Sequence, residues 1–197
     1  MTVALNPTIL QIYTGGTPDP ALVDIMNANR GIGRYVLIAD NKYVDADKYI
    51  QTVDYVRELE ADLPGVSKAW DSMTNNNKAN LIRLHYLSAH ENTMYLDVDV
   101  ELYSIPEKLT GPAFGQWENS KIRRDVHVIY NGADTEFFKQ FMLAGVRNKD
   151  LSKLPGRGVY WHLLNKKRYS RVGVIRGEHF YHLNWSRFRM GENIRGA

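Results

Sequence analysis

Cysteine is absent from all 197 residues. That removes disulfides, zinc-thiolate centres and cysteine nucleophiles, and it accords with a reducing compartment. No apolar run approaches the roughly 20 residues that cross a bilayer. The opening MTVALNPTILQIYTGG lacks a basic segment followed by a long apolar core, so it does not read as a signal peptide. A cytoplasmic protein is the expectation. There is no internal repeat, no low-complexity segment and no Gly-Ser phosphate-binding signature of the kind a nucleotidyltransferase would carry.

What is present describes a folded globular chain. The 44% hydrophobic content, 24% charged content and 12 tyrosines are those of a protein with a core rather than a disordered one. The length predicts a single domain over residues 1–197. The formal charge of +3 arises from 25 basic and 22 acidic residues. The basic excess gathers late, in NKKRYSRVGVIRG and WSRFRMGENIRGA, with a basic tail from about residue 186. Charge of that kind suits a phosphate-bearing partner or an anionic surface, but charge alone favours a solvated tail.

The periodicity predicts alternating strands and helices. PTILQIYTGG reads as a strand stopped by Gly15 and Gly16, and RYVLIAD as a second strand. Between them DPALVDIMNANRG has a helix signature, with Asp19 at the N-cap, Pro20 at the first helical position and Gly31 past the end. ADKYIQTVDYVRELEADLPG predicts a helix through Tyr49, Ile50, Val53, Val56 and Leu59. A short helical piece around VSKAWDSM follows, then TNNN caps the helix KANLIRLHYLSAH, and Asn92 suits a left-handed turn. AFGQW and DVHVIYNG read as strands and DTEFFKQFMLAG as a helix from Asp134 to Gly145. GVYWHLLNKK reads as another helix, and RVGVIRGEHFYHLNW as one or two strands. This order implies crossover connections and an α/β fold with a mostly parallel central sheet flanked by helices. Ligands of such sheets bind at the carboxyl ends of the strands, where YTGG and IADN lie.

The run MYLDVDVEL looks like a buried strand yet carries Asp97 and Asp99. On a continuous strand Tyr95, Asp97 and Asp99 share one face, and Met94, Leu96, Val98 and Val100 the other. Two ionised carboxylates, partly buried, cost several kcal/mol unless paired. A hard divalent cation, Mg²⁺ or Mn²⁺, satisfies both and shares its coordination with a diphosphate. Solvation at a strand end, or pairing with arginine, is the other solution.

The stretch KANLIRLHYLSAHENTMYLDVDVEL resembles the sugar-nucleotide-binding region of DXD-containing glycosyltransferases. That group includes the α-mannosyltransferase-like and capsular-polysaccharide enzymes and, distantly, the glucosylating clostridial toxins. The matching residues are Ala79, Asn80 and Arg83 on the helix, then Tyr95, Leu96, Asp97, Asp99 and Val100. PTILQIYTGGTPDP is similar to the family's opening strand, and FGQWEN and FYHLNW to later segments. The likeness touches residues 7 to 186, and only the 79–100 block is specific.

The resemblance implies a GT-A type nucleotide-sugar-binding fold and a hexosyltransferase. Such an enzyme moves a hexose, with retention, from a nucleotide-diphosphate sugar, UDP-hexose in preference to a GDP-sugar, onto an acceptor the sequence does not identify. Its cofactor would be Mn²⁺ or Mg²⁺. Asp99 would ligate the metal, and Asp97 would contact the metal, the ribose or the donor sugar. Arg83 and Asn80 match donor-sugar contacts, with Asn80 standing where the family has aspartate. Tyr13, followed by Thr14 and Gly15, falls where an aromatic meets the nucleobase, and Asp40 and Asn41 lie where base or ribose is in reach. Of His179 and His182, three apart and so on opposite faces of a strand, at most one can join the metal, and His182 is preferred. Asn131 and Gly132, or Trp117, Glu118 and Asn119, could border a sugar, and Lys166, Lys167 and Arg168 could screen the diphosphate. The competing functions are a sugar-nucleotide-binding module without turnover, suggested by Asn80, and a nucleic-acid-binding protein using the basic last third.

Overall fold

The computed structural model describes residues 6–109, 111–116, 124–146 and 172–183. Its order is β1 (Thr8–Tyr13), α1 (Pro20–Arg30), β2 (Tyr35–Ala39), β3 (Lys48–Gln51), α2 (Thr52–Asp62), α3 (Val66–Ala69) and α4 (Asn75–Ala89). Then follow β4 (Thr93–Leu96), β5 (Val100–Leu102), β6 (Ala113–Gln116), β7 (Arg124–Tyr130), α5 (Thr135–Val146), β8 (Gly173–Ile175) and β9 (Phe180–His182). Seven strands form one sheet in the order β3-β2-β1-β4-β7-β6-β8, and β5 pairs with β9 in a second, smaller one. In the large sheet β7 alone runs against its neighbours, because β4 and β6 both pair with it antiparallel while the remaining pairings are parallel. The fold is therefore α/β with a mostly parallel sheet, as the alternation of elements predicts.

Both faces of the sheet are covered. Leu10, Ile12, Val36, Ile38, Tyr95 and Ile129 pack against Tyr55 and Leu59 of α2, Leu81 and Leu84 of α4 and Phe138 of α5. Ile9, Tyr35, Leu37, Met94 and Leu96 pack on the other side against Met26 of α1 and against Val100, Leu102 and Phe180 of the small sheet. A strand enclosed this way reads as a continuous apolar run, and all five residues of β2 are buried.

Local chemistry explains several element ends. Asp19 accepts from the Ala21 N–H at the start of α1, with Pro20 next in line. Thr74 caps α4 by accepting from the Asn77 N–H, and Asn92 turns the chain into β4 at φ 50°. Asp134 accepts from the Phe137 N–H at the start of α5, and that helix runs on through Gly145 to Val146.

Two expectations change. Residues 48–51 are strand β3 and not the first turn of a helix, and α2 begins at Thr52. β2 would otherwise leave its outer edge unpaired, and β3 fills it through four residue pairs from Val36 with Lys48 to Ala39 with Gln51. Tyr49 and Ile50 pack on opposite faces, the alternation of a strand, and Val53, expected on the apolar stripe, is exposed. Second, MYLDVDVEL is not one strand. β4 ends at Leu96, and residues 97–99 turn, with the Val100 N–H donating to the Asp97 carbonyl at 3.0 Å, before β5 joins the small sheet. The paired carboxylates therefore sit on a turn at the carboxyl edge of the main sheet, and strand alternation is not what brings them together. The expected helix GVYWHLLNKK and the basic tail lie outside the described residues.

Candidate functional site

β4 is the central parallel strand, and Asp97 is the first residue beyond it. Three backbone contacts hold it in place. Its N–H donates to the His127 carbonyl of β7 at 2.8 Å, and its carbonyl accepts from the Gln11 side chain of β1 at 3.1 Å and from Val100. Gln11, completely buried, is itself oriented by the Tyr35 hydroxyl, which donates to Oε1 at 2.8 Å. The turn that follows carries Asp99, also buried, whose carbonyl accepts from the Leu183 N–H at 2.9 Å. β9 thus comes alongside, and its pairing of His182 with Val100 places the imidazole beside the acids.

Asp97, Asp99 and His182 offer ligand atoms that all lie within 4.8 Å of one another. His182 Nδ1 stands 3.4 Å from Asp99 Oδ2. Two carboxylates and one imidazole form a hard, mostly oxygen donor set suited to Mg²⁺ or Mn²⁺. Among the described residues this is the one group of three such side chains with that geometry. His179, the other histidine of the segment, turns away, its Nδ1 2.9 Å from the Ser104 hydroxyl.

Arg83 backs the cluster from α4. Almost wholly buried, it places Nη1 3.5 Å from Asp97 Oδ1. Its guanidinium lies 4.7 Å from the centre of the Tyr95 ring and donates from Nη2 to Asn80 Oδ1. Asn80, one turn earlier, is thus engaged with Arg83. The Tyr95 hydroxyl donates to Asp97 Oδ1 at 2.6 Å. Burial pushes the Asp97 carboxyl above its ordinary range. Arg83 opposes that rise and the charge of Asp99 adds to it. Burial likewise holds the Tyr95 phenol well above its usual value, so it serves as a donor to the carboxylate.

The other expected residues divide into two groups. Tyr13 ends β1 and Asp40 follows β2, so both stand at the carboxyl edge that also carries Asp97. Tyr13 packs edge-on to Tyr43 with ring centres 5.5 Å apart, and the Tyr43 hydroxyl donates to the Gly16 carbonyl at 2.9 Å. Gly15 lies against the Tyr13 ring, where a Cβ would come within 2.9 Å of it. Thr14 is buried and donates to the Asn75 carbonyl at 2.9 Å, tying this loop to the start of α4. Asp40 and Asn41 are exposed.

Asn131, expected to border a sugar, stands apart. It is fully buried at the opposite, amino end of β4, accepting from the Thr93 N–H at 2.8 Å and donating to the Leu87 carbonyl at 2.8 Å. Its side chain fastens the α4–β4 junction. Gly132 beside it has φ 60°. Trp117, Glu118, Asn119, Lys166, Lys167 and Arg168 lie outside the described residues.

Gln11 and His127 were missed by sequence reasoning. A glutamine inside the apolar run TILQIY was the available signal for the first, since a buried amide has to be matched by partners. Nothing local marks His127.

No protein-family model matches this sequence, and a search of curated proteins returns no match. Among solved structures, the chain is similar to PaToxG Glycosyltransferase at 14% identity, covering 83% of this chain and 69% of that one, with a TM-score of 0.51. It also aligns with the glycosyltransferase GlyE of Streptococcus pneumoniae TIGR4 at 7% identity, over 86% of this chain and 45% of GlyE, with a TM-score of 0.45. The apo form of GlyE gives 8% identity, 85% and 45% coverage, and a TM-score of 0.44. At 14% identity the likeness to PaToxG Glycosyltransferase is one of fold alone. Among the described residues no helix is long and apolar enough to cross a membrane.

Proposed function

We propose, from a fold shared with a glycosyltransferase and an acidic site at its carboxyl edge, that this chain is a metal-dependent glycosyltransferase. In this reading it transfers a hexose, with retention, from a nucleotide-diphosphate sugar to an acceptor. A UDP-hexose is the preferred donor and a GDP-sugar the second choice. The observation that carries the reading is the convergence of Asp97, Asp99 and His182 from segments far apart in sequence. The donor set fits Mn²⁺ or Mg²⁺, and the partly buried Asp97 side chain, 36% exposed, leaves the cluster open to a ligand.

The chemistry follows from where charge develops. Glycosyl transfer builds negative charge on the departing diphosphate, and a bound divalent ion supplies the compensating positive charge there. Asp97, Asp99 and His182 would hold that ion. Arg83 opposes the rise that burial imposes on the Asp97 carboxyl, Tyr95 orients Oδ1, and Gln11 holds the Asp97 main chain. Tyr13 offers a flat ring to the base at the neighbouring strand end, and Asp40 lies beside it for the base or ribose.

A thermal-shift panel of UDP- and GDP-sugars with and without Mn²⁺ tests the donor class, since a ligand that binds only the folded state raises its apparent stability. Metal-dependent stabilisation by one nucleotide class is expected, and loss of donor hydrolysis in Asp99→Ala completes the test. Absence of any response across the panel would sink the proposal. The engagement of Asn80 with Arg83 favours a second reading, a sugar-nucleotide-binding module without turnover. That module would show the thermal shift and no hydrolysis in the unaltered chain.

A further inference from the structure

β7 is irregular where it passes the site. Phe114 of β6 pairs with Ile129, yet the next residue, Gly115, pairs with Asp125, so residues 126–128 of β7 are spanned by a single step on β6. Bulges bend their strand and re-aim the side chains they carry. His127 is at the centre of this one and is almost fully buried. Its carbonyl accepts the Asp97 N–H at 2.8 Å. Its ring meets His182 edge-on, centres 5.3 Å apart and planes at 67°, and meets Phe180 at 5.1 Å and 60°. Gly115 lies against the same ring, and a Cβ there would stand 2.7 Å from Nε2 and 3.1 Å from Cε1. One residue therefore touches both halves of the acidic cluster: the turn after β4 through its backbone, and β9 of the small sheet through its imidazole.

We propose that His127 is a positioning residue of the metal site, its ring lodged by the bulge and by the missing side chain at Gly115 so that it sets the direction of His182 toward Asp97 and Asp99. The proposal rests on the metal-dependent reading above. A ligand imidazole needs a partner that fixes its ring plane, and an edge-on ring contact of this kind corresponds to up to about tenfold in affinity. The His182 ring can turn about its side-chain torsions, whereas His127 is hemmed in by Gly115, Phe180 and its own pairing within the sheet. An edge-on aromatic contact is directional enough to select one ring orientation. An ordinary core histidine would affect the stability of the metal-free fold and leave the ion's surroundings unchanged.

The experiment is Mn²⁺ binding to the full chain without donor, followed by calorimetry and by the electron paramagnetic resonance spectrum of the bound ion. The metal-free melting temperature of each variant records the fold. His182→Ala should weaken binding most. His127→Ala should weaken it by about tenfold with an altered spectrum, and His127→Phe should restore most of the loss by keeping a ring in the same place. Gly115→Ala should weaken binding when His127 is present and add nothing in the His127→Ala background, because the ring carries the effect. If His127→Ala fails to fold, Gly115→Ala and His127→Phe decide. Unchanged Mn²⁺ affinity and spectrum in His127→Ala or Gly115→Ala, beside a clear loss in His182→Ala, overturns the positioning role alone. Unchanged affinity in both His182→Ala and Asp99→Asn removes the metal site itself, and this inference with it.

Discussion

Burial pushes the Asp97 carboxyl up from its ordinary value even with Arg83 beside it. The sign of the consequence is definite. A carboxyl raised in the folded state contributes its stability below the unfolded pKa and loses it as pH rises through the folded one. At neutral pH, without metal, this carboxyl is therefore a local destabilisation of the kind found at functional sites. Asp97→Asn should raise the melting temperature of the metal-free protein at pH 7. That gain should shrink as pH falls through the raised folded value and vanish below the unfolded value of about 3.9, where the aspartate is protonated in both states. The same variant should bind Mn²⁺ more weakly, so one substitution moves stability and metal affinity in opposite directions, and parallel melting and calorimetry record both. Tyr95→Phe tests the neighbouring hydrogen bond of 2.6 Å. A bond to a charged acceptor contributes about 1.5–3 kcal/mol to stability, so the midpoint of urea unfolding should fall while the apolar ring still packs beneath Arg83.

Asn29 shows how an element that is weak alone is held in place. β5 has only three residues. β9 pairs with one of its edges, and on the other the buried Asn29 side chain of α1 donates to the Val100 carbonyl and accepts from the Leu102 N–H, both at 2.8 Å. A single amide thus replaces a missing strand. Asn29→Ala would leave two buried backbone groups without partners, at about 1–3 kcal/mol each, and the midpoint of urea unfolding should fall accordingly. Because β5 begins immediately after Asp99, Mn²⁺ binding should weaken in the same variant. α2 and α4 are braced in a comparable way. His85 Nδ1 lies 2.9 Å from the Tyr55 hydroxyl and Nε2 2.9 Å from Asp62 Oδ2, holding the helix that carries Arg83 against its neighbour.

Across the whole molecule, the metal reading couples the two sheets. Asp97 and Asp99 lie between them, and His182 belongs to the smaller one. An ion bound by all three would cross-link them, since a site assembled only on folding converts binding energy into stability. Chelation with EDTA should abolish donor hydrolysis and remove the stabilisation that a nucleotide-sugar produces in a melting experiment. Mn²⁺ should restore both more fully than Ca²⁺, whose site calls for more oxygen ligands and no imidazole.

Much of this architecture is legible along the chain. Asp19 before Pro20 and Thr74 before α4 each declare an element boundary through contacts made within a few residues, and Asn92 before β4 does so through its own left-handed backbone. The apolar runs of β1 and β2 announce a sheet covered on both sides, and the two acids in MYLDVDVEL stand out because buried charge demands a partner. These features need only neighbouring residues to express them. The break of that run at Leu96, the assignment of 48–51 to an edge strand and the placement of Asn131 at the far end of β4 required the assembled fold. Each depends on a partner remote in sequence: Gln11 reaches Asp97 across 86 residues, and Asn131 is held by a strand and a helix that precede it. Periodicity and capping are properties of a short stretch of backbone, whereas the pairing of buried polar groups is settled only when distant segments close around them and exclude water.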